Sequence, residues 1–283
     1  MMKKRPGRAM LRLIHYLLLI ALGLVLIFPL VFIFFATFKT SNEIFSSTRI
    51  LPSQFSLDGY INGWRGVGQT GFITFIRNSF VLTLPAVLFT ILSSLCVAYG
   101  FSRFEFPGKK LFFNLMMALM MLPGAVLIIP RYLLFSHLGW VNSYFPFWIP
   151  ALFATSSFFI YMFVQFFRGL PQDLDEAATI DGCGSFGVLI HVLLPLCKPA
   201  IISAAIFQFI WTWNDFMAQY IYISSVSKYT VSLGLRMAID GTSRIEWSNV
   251  LAMSVVAMLP CVLVFLFLQK YFVEGIATSG LKG

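Results

Sequence analysis

The chain alternates long apolar runs with short polar segments, and this pattern predicts membrane-spanning helices. A helix that crosses the hydrocarbon layer needs roughly 20 mostly apolar residues and satisfies its backbone hydrogen bonds internally. Because the apolar runs are continuous and do not alternate with a period of two, they favour helices over the strands of a barrel. Six spans are predicted, at residues 13–38, 75–101, 111–129, 144–167, 200–224 and 250–268.

Composition supports the same fold class. Of the 283 residues, 59% are hydrophobic and only 11% are charged. A soluble domain of this length would then have too little polar surface. We therefore predict an all-α polytopic membrane protein in which residues 1–283 form a single transmembrane domain.

Basic residues near the span ends predict the orientation, since the cytoplasmic side retains Lys and Arg. Five of them come before the first span: Lys3, Lys4, Arg5, Arg8 and Arg12. Both termini and the loop at 168–199 are then cytoplasmic, whereas the loops at 39–74 and 225–249 face outward. The first apolar run is longer than the core of a signal peptide, so we expect a retained helix. The net charge of +9 comes from residues that flank spans, so we expect contact with the lipid bilayer and no nucleic-acid partner.

The polar loop at 168–199 is predicted to form a helix-turn-helix outside the bilayer. Pro171 suits the first turn of a helix over 171–180. The carboxylates that follow interact favourably with the helix dipole; they belong to Asp173, Asp175 and Glu176. Asp181-Gly182 is a turn signal, and a second helix over 184–194 is predicted to end at Pro195.

Two interpretations of this loop remain open on physical grounds. Short amphipathic helices often rest on the lipid surface, but such helices are usually rich in Lys and Arg. This one begins with three carboxylates and carries two alanines, which favours docking in a basic groove of a partner protein.

The spacing of Cys183, His191 and Cys197 does not resemble a zinc motif, so no metal is expected.

The spacing within the loop resembles one family. Glu176-Ala177-Ala178 is followed by three residues and Gly182, then by nine residues and Val192, and finally by Leu194-Pro195. This pattern is similar to that of the permease subunits of binding-protein-dependent ABC importers, although Val192 stands where Ile is commoner and Cys183 where Ala is usual. Other segments resemble the carbohydrate branch, as in the second permease of maltose systems: Arg77-Asn78-Ser79, Trp213-Asn214-Asp215-Phe216, Glu274-Gly275 and the tail Gly280-Leu281-Lys282-Gly283.

The resemblance implies a type I importer fold in a bacterial cytoplasmic (inner) membrane. It implies three partners: a second homologous permease, a cytoplasmic ATPase dimer and an extracytoplasmic solute-binding protein. The residues implied to couple to the ATPase are Glu176, Ala177, Ala178, Asp181, Gly182, Leu194 and Pro195. The tail, Gly280, Leu281, Lys282 and Gly283, is implied to reach the same interface.

The chain itself is expected to have no cofactor and no catalytic site. The sequence contains no G-x-x-x-x-G-K-[ST] phosphate loop and no Ser-His-Asp set. ATP and Mg are therefore expected in the partner ATPase.

Polar residues in the fifth span have two possible roles. Sugar sites combine aromatic faces with groups that bind hydroxyls, and the suitable residues here are Gln208, Trp211, Trp213, Asn214 and Asp215. They line the transport pathway or pack between helices. In the outer loop, Lys228, Arg236 and Asp240 contact the binding protein or belong to a solvated connection.

The predicted function is therefore import of a di- or oligosaccharide through a pathway shared with the second permease. Glycerol phosphate or an acidic oligosaccharide is the alternative solute. An ion-coupled secondary transporter is a further alternative, but no inverted internal repeat is visible in the sequence.

Overall fold

The computed structural model describes the backbone of residues 6–240 and 245–280, and the side chains of residues 12–240 and 245–270. Within these ranges the secondary structure is helical, apart from one isolated bridge between Val67 and Thr70. The helices are α1 Pro6–Ala36, α2 Ser41–Ser46, α3 Asp58–Trp64, α4 Phe72–Arg103, α5 Lys109–Met120, α6 Ile128–His137, α7 Phe145–Leu152, α8 Ser157–Gly169, α9 Asp173–Ile180, α10 Ser185–Leu196, α11 Lys198–Asn214, α12 Phe216–Tyr222, α13 Val231–Asp240 and α14 Trp247–Gly280.

Several of these helices are long and apolar enough to cross a bilayer. In the described residues four segments qualify alone: Arg12–Ala36, Phe72–Arg103, Phe145–Gly169 and Trp247–Lys270. Two bent pairs qualify together, α5 with Gly124–His137 at 99° and α10 with α11 at 78°. If each bent pair is one span, the number reaches the six expected from the sequence.

Three predicted spans are not single helices. The fourth, predicted at 144–167, consists of α7 and α8, which together form one apolar segment. The third, predicted at 111–129, divides because α5 ends at Met120 and the chain turns through 99° before α6. Pro123 lies at this turn and has no N–H to continue the helix. The fifth, predicted at 200–224, divides at Asp215, whose Oδ1 accepts a hydrogen bond from the N–H of Ala218 at 3.1 Å and so begins a new helix, α12.

The chain divides into two compact units, Met1–Phe72 with Met237–Ala257, and Ile73–Arg236 with Met258–Gly283. In the first unit, Ser41 joins the short helix α2 to the start of α14, because its Oγ donates to Glu246 Oε2 at 2.9 Å. No residue in the most apolar stretch of α1 is buried. An apolar helix that is exposed on every side suits a lipid or protein environment.

The second unit has its main core between α4, α8, α10 and α11. Phe159, Phe163, Val164 and Phe167 of α8 are fully buried there. Leu189 and Leu193 of α10 pack into the same cluster. The polar loop is thus built directly onto the core of this unit.

Candidate functional site

The first helix of the polar loop forms close to where the sequence predicts it. Helix α9 runs Asp173–Ile180, two residues shorter at its start than the predicted 171–180. The carbonyl oxygen of Gln172 accepts hydrogen bonds from the N–H groups of Asp175 and Glu176 at 2.8 and 3.2 Å. The acidic first turn therefore lies at the positive end of the helix dipole.

An ion pair fastens α9 to the end of α4. Arg103 Nε lies 2.5 Å from Asp175 Oδ2, and Arg103 Nη2 donates to the carbonyl oxygen of Leu170 at 3.2 Å. The two side chains are 7% and 20% exposed, respectively. Asp175 therefore does more than interact with the helix dipole of α9, because it also connects the loop to a membrane-spanning helix.

The end of α9 is a Schellman turn. Gly182 has φ +90°, in the left-handed region that favours glycine. The N–H of Cys183 donates to the carbonyl oxygen of Ala178 at 2.9 Å, and the N–H of Gly182 donates to that of Thr179 at 3.1 Å. This pair of bonds is characteristic of the motif. Gly182 is thus required by the backbone geometry of the bend.

The second helix of the loop is longer and less regular than predicted. Helix α10 runs Ser185–Leu196 and contains a π-helical turn at Val188–Leu193. The prediction that Pro195 ends this helix is wrong, since the break lies at Cys197. Pro195 has no N–H to bond the carbonyl of His191 in an α-helix, and a wider π turn accommodates that loss. The Tyr99 hydroxyl of α4 donates to the carbonyl oxygen of Ser185 at 2.9 Å and holds the start of α10.

The loop has a buried face and an exposed face. Ala178 packs in the core with Val188 and Leu189. On the other side, Ile180 is 85% exposed and Phe186 is 67% exposed. Of the predicted coupling residues, those that are exposed are Glu176, Ala177, Asp181, Gly182 and Pro195.

The structure therefore separates residues that the sequence placed together. Ala177 lies on the exposed face, whereas Ala178 and the half-buried Leu194 pack inside the unit. Ile180 and Phe186 were not among the predicted coupling residues. Their signal in the sequence is a large apolar side chain within an otherwise polar segment.

Most of the predicted pathway residues line one open groove. This groove has a volume of about 450 Å³, and Gln208, Trp211, Asn214 and Asp215 all line it. Trp213 does not, because its buried ring stacks on Phe209 with 5.4 Å between ring centres. Trp213 is thus a packing residue in this structure, and a solute contact for the other four stays a prediction.

The predicted outer loop at 225–249 is partly helical and buried. Helix α13 occupies Val231–Asp240, and Val231, Leu233 and Gly234 are buried. Asn78 Nδ2 donates to the carbonyl oxygens of Ser227 and Tyr229, both at 2.9 Å. The loop is therefore held to α4 by Asn78 and is more than a solvated connection.

The predicted contact residues of this loop differ in exposure. Lys228 Nζ donates a hydrogen bond to the carbonyl oxygen of Asn142 at 2.6 Å, so this side chain stabilises the folded loop. Arg236 and Asp240 are exposed. In the predicted tail, α14 extends to Gly280, and Leu281, Lys282 and Gly283 lie outside the described residues.

Comparison with known proteins identifies the family. Residues 91–278 match the family described as binding-protein-dependent transport system inner membrane component. The chain is 33% identical over 268 residues to the probable ABC transporter permease protein YurM of Bacillus subtilis, covering 95% of this chain and 86% of YurM. It is 30% identical over 264 residues to the trehalose/maltose transport system permease protein MalG of Thermococcus litoralis, covering 93% and 94% of the two chains. The fold is similar to a chain of a bacterial ABC transporter involved in the import of the acidic polysaccharide alginate, with a TM-score of 0.84, 21% identity and coverage of 96% and 100%. This chain therefore belongs to the family of inner membrane components of binding-protein-dependent transport systems.

Proposed function

We propose that this chain is one of two permease subunits of an ATP-driven importer for a di- or oligosaccharide. A second, homologous permease completes the pathway, and a solute-binding protein delivers the sugar from outside. A cytoplasmic ATPase dimer, which binds ATP and Mg in its own subunits, supplies the energy. The names of similar proteins, such as the trehalose/maltose permease, support a sugar as the solute.

The observation that carries this proposal is the two-sided construction of α9. Its inner side is fixed to α4 by the pair of Arg103 and Asp175, and to the core by Ala178. Its outer side presents Glu176 and the highly exposed Ile180. An exposed apolar side chain beside a carboxylate suits a partner groove that is apolar at its centre and basic at its rim.

This construction gives α9 a mechanical role. When the ATPase dimer closes on ATP, it moves the docked loop. Because Arg103 ends α4 and Tyr99 of the same helix holds Ser185, that movement reaches a membrane-spanning helix directly. The pathway then opens alternately to the binding protein and to the cytoplasm. Both termini are cytoplasmic in this arrangement.

The open groove beside Asp215 supports a sugar as the transported solute. Trp211 presents an aromatic ring, while Gln208 and Asn214 present amides that can bind hydroxyl groups. Asp215 adds a carboxylate at the break between α11 and α12. These groups match the alternating apolar faces and hydroxyl edges of a pyranose.

Substitution of Ile180 tests the docking face. We expect Ile180→Asp to abolish co-purification with the ATPase and ATP-coupled sugar uptake in proteoliposomes, since it places a carboxylate at the apolar centre. Leu51→Asp is the matched control. Leu51 is 62% exposed and belongs to the predicted outer loop at 39–74, so this substitution should leave ATPase association intact. Normal co-purification and uptake with Ile180→Asp would contradict the proposal.

A further inference from the structure

A basic cavity lies beside the start of the polar loop at 168–199 and is separate from the docking face proposed above. It has a volume of about 350 Å³ and is formed by the end of α4, the start of α5 and the end of α8. Three cations line it, Lys109, Lys110 and Arg168, together with one carboxylate, Glu105. The lining therefore carries a net charge of +2, from three positive groups and one negative group.

Among the residues that the structure describes, Lys109 is the cation of this cavity that forms a salt bridge with the carboxylate. Lys109 Nζ donates to Glu105 Oε1 and to the carbonyl oxygen of Phe104, both at 2.8 Å. This hydrogen bond and the charge of Lys109, with a smaller effect of the charge of Lys110, lower the pKa of the Glu105 carboxyl. Among the described residues, neither salt bridge includes Lys110 or Arg168. Within the described part of the chain, Lys110 and Arg168 thus line the cavity without a direct salt bridge, and the lining keeps its net charge of +2.

Arg168 is held at the cavity by an aromatic side chain. Its guanidinium carbon lies 5.2 Å from the centre of the Phe113 ring. Such a contact fixes the plane of the guanidinium while leaving its N–H donors available. Asn114 of α5 adds a side-chain amide to the same lining. The cavity therefore offers several donors and two unbalanced charges, which is the chemistry that recognises a phosphate group.

The surface next to the cavity is apolar and exposed. Leu111 and Leu115 lie one helical turn apart on α5, each one position after a cavity residue, and both are more than half exposed. Exposed leucines in a membrane protein suit contact with acyl chains. A free anion would satisfy Lys110 and Arg168 but would leave this apolar strip uncovered.

We propose that the cavity binds the phosphate of an anionic phospholipid, with the acyl chains along Leu111 and Leu115. Basic pockets between membrane-spanning helices are a recognised setting for such headgroups. The site lies at the start of the polar loop at 168–199. Arg168 comes two residues before Leu170, whose carbonyl oxygen accepts the hydrogen bond from Arg103. A bound lipid would thus steady the junction of α4 and α8 that carries α9.

The test is a lipid titration of the complete importer. The complex is placed in nanodiscs of phosphatidylcholine with increasing fractions of phosphatidylglycerol, and the phosphatidylglycerol retained per complex is counted by native mass spectrometry. We expect Lys110→Ala and Arg168→Ala each to weaken retention about fivefold, as expected for one lost charge near a membrane surface. Lys198→Ala is the matched control, since Lys198 is an exposed cation at the start of α11 and should change retention less than twofold.

Glu105→Gln provides a change of opposite sign. It removes the one carboxylate of the cavity while keeping an oxygen that can accept from Lys109, so retention should increase. Misfolding could lower retention but would not raise it in one variant while lowering it in another. Equal retention in wild type, Lys110→Ala and Arg168→Ala would overturn the proposal. Displacement of the bound lipid by soluble glycerol phosphate as readily as by added phosphatidylglycerol would also overturn the proposal, because the site would then recognise a free anion.

Discussion

The pair of Arg103 and Asp175 gives the most specific prediction about force transmission. Asp175→Asn keeps the size and helix position of the side chain but leaves Arg103 without its counter-charge. Removing one partner of a buried pair costs about 3–5 kcal/mol. Asp175 is 20% exposed and Arg103 keeps its bond to Leu170, so we expect about 2 kcal/mol here. That free energy corresponds to a roughly 30-fold increase in the open population of α9.

Hydrogen exchange of the backbone amides is the assay for this opening. The N–H groups of α9 should exchange roughly 30-fold faster in Asp175→Asn, with the global melting temperature little changed, because only the attachment of the loop is lost. Asp173→Asn is the matched control. Asp173 is exposed in the same first turn, so its loss removes only a dipole interaction of about 0.3–1 kcal/mol.

Two results would show that the pair of Arg103 and Asp175 does not hold α9 in place. One is equal exchange in Asp175→Asn and Asp173→Asn. The other is a double-mutant cycle in which Arg103→Gln and Asp175→Asn add without coupling, since paired residues should show an interaction free energy.

Three further substitutions probe other parts of the structure. Gly234→Ala should destabilise the protein by at least about 1–3 kcal/mol, because the new Cβ would lie 2.3 Å from Phe75 Cδ2; Gly100→Ala, with no atom within 4 Å, should slightly stabilise α4 in the same thermal melt. Gly182→Ala should cost about 1–2 kcal/mol in the left-handed conformation, and a crystal structure or exchange profile that shows an unchanged, equally stable bend would contradict this. Asp215→Ala should destabilise the start of α12 by about 1 kcal/mol in the same thermal melt while Asp215→Asn preserves it, and equal stability of the two variants would argue against the cap.

The sequence predicted the parts of the fold that depend on composition and on local turn chemistry. The apolar runs located the membrane-spanning helices, and Asp181-Gly182 located the bend that the structure builds as a Schellman turn. Pro123 in the third apolar run indicates a kink, but a turn of 99° after Met120 was not predicted, because the residues on both sides of it are apolar enough for one continuous span.

Contacts between residues that lie far apart in the sequence could not be predicted from the sequence alone. Arg103 and Asp175 are separated by 72 positions, and only the folded chain brings them together. Trp211 and Trp213 are the same residue type in an almost uniformly apolar helix, so no periodic pattern distinguished the groove-lining ring from the buried one. The same holds for the adjacent Ala177 and Ala178, whose exposure depends on how α9 docks on the core.

If the exposed face of α9 docks on an ATPase, the side chain at position 180 lies against that subunit in the assembled importer. Site-specific photocrosslinking from position 180 detects this contact. We predict a crosslink to the ATPase subunit from position 180, and none from position 51 in the predicted outer loop at 39–74. A complex that assembles and transports without any crosslink from position 180, or that crosslinks the ATPase equally from both positions, would show that this face of α9 does not dock on the ATPase.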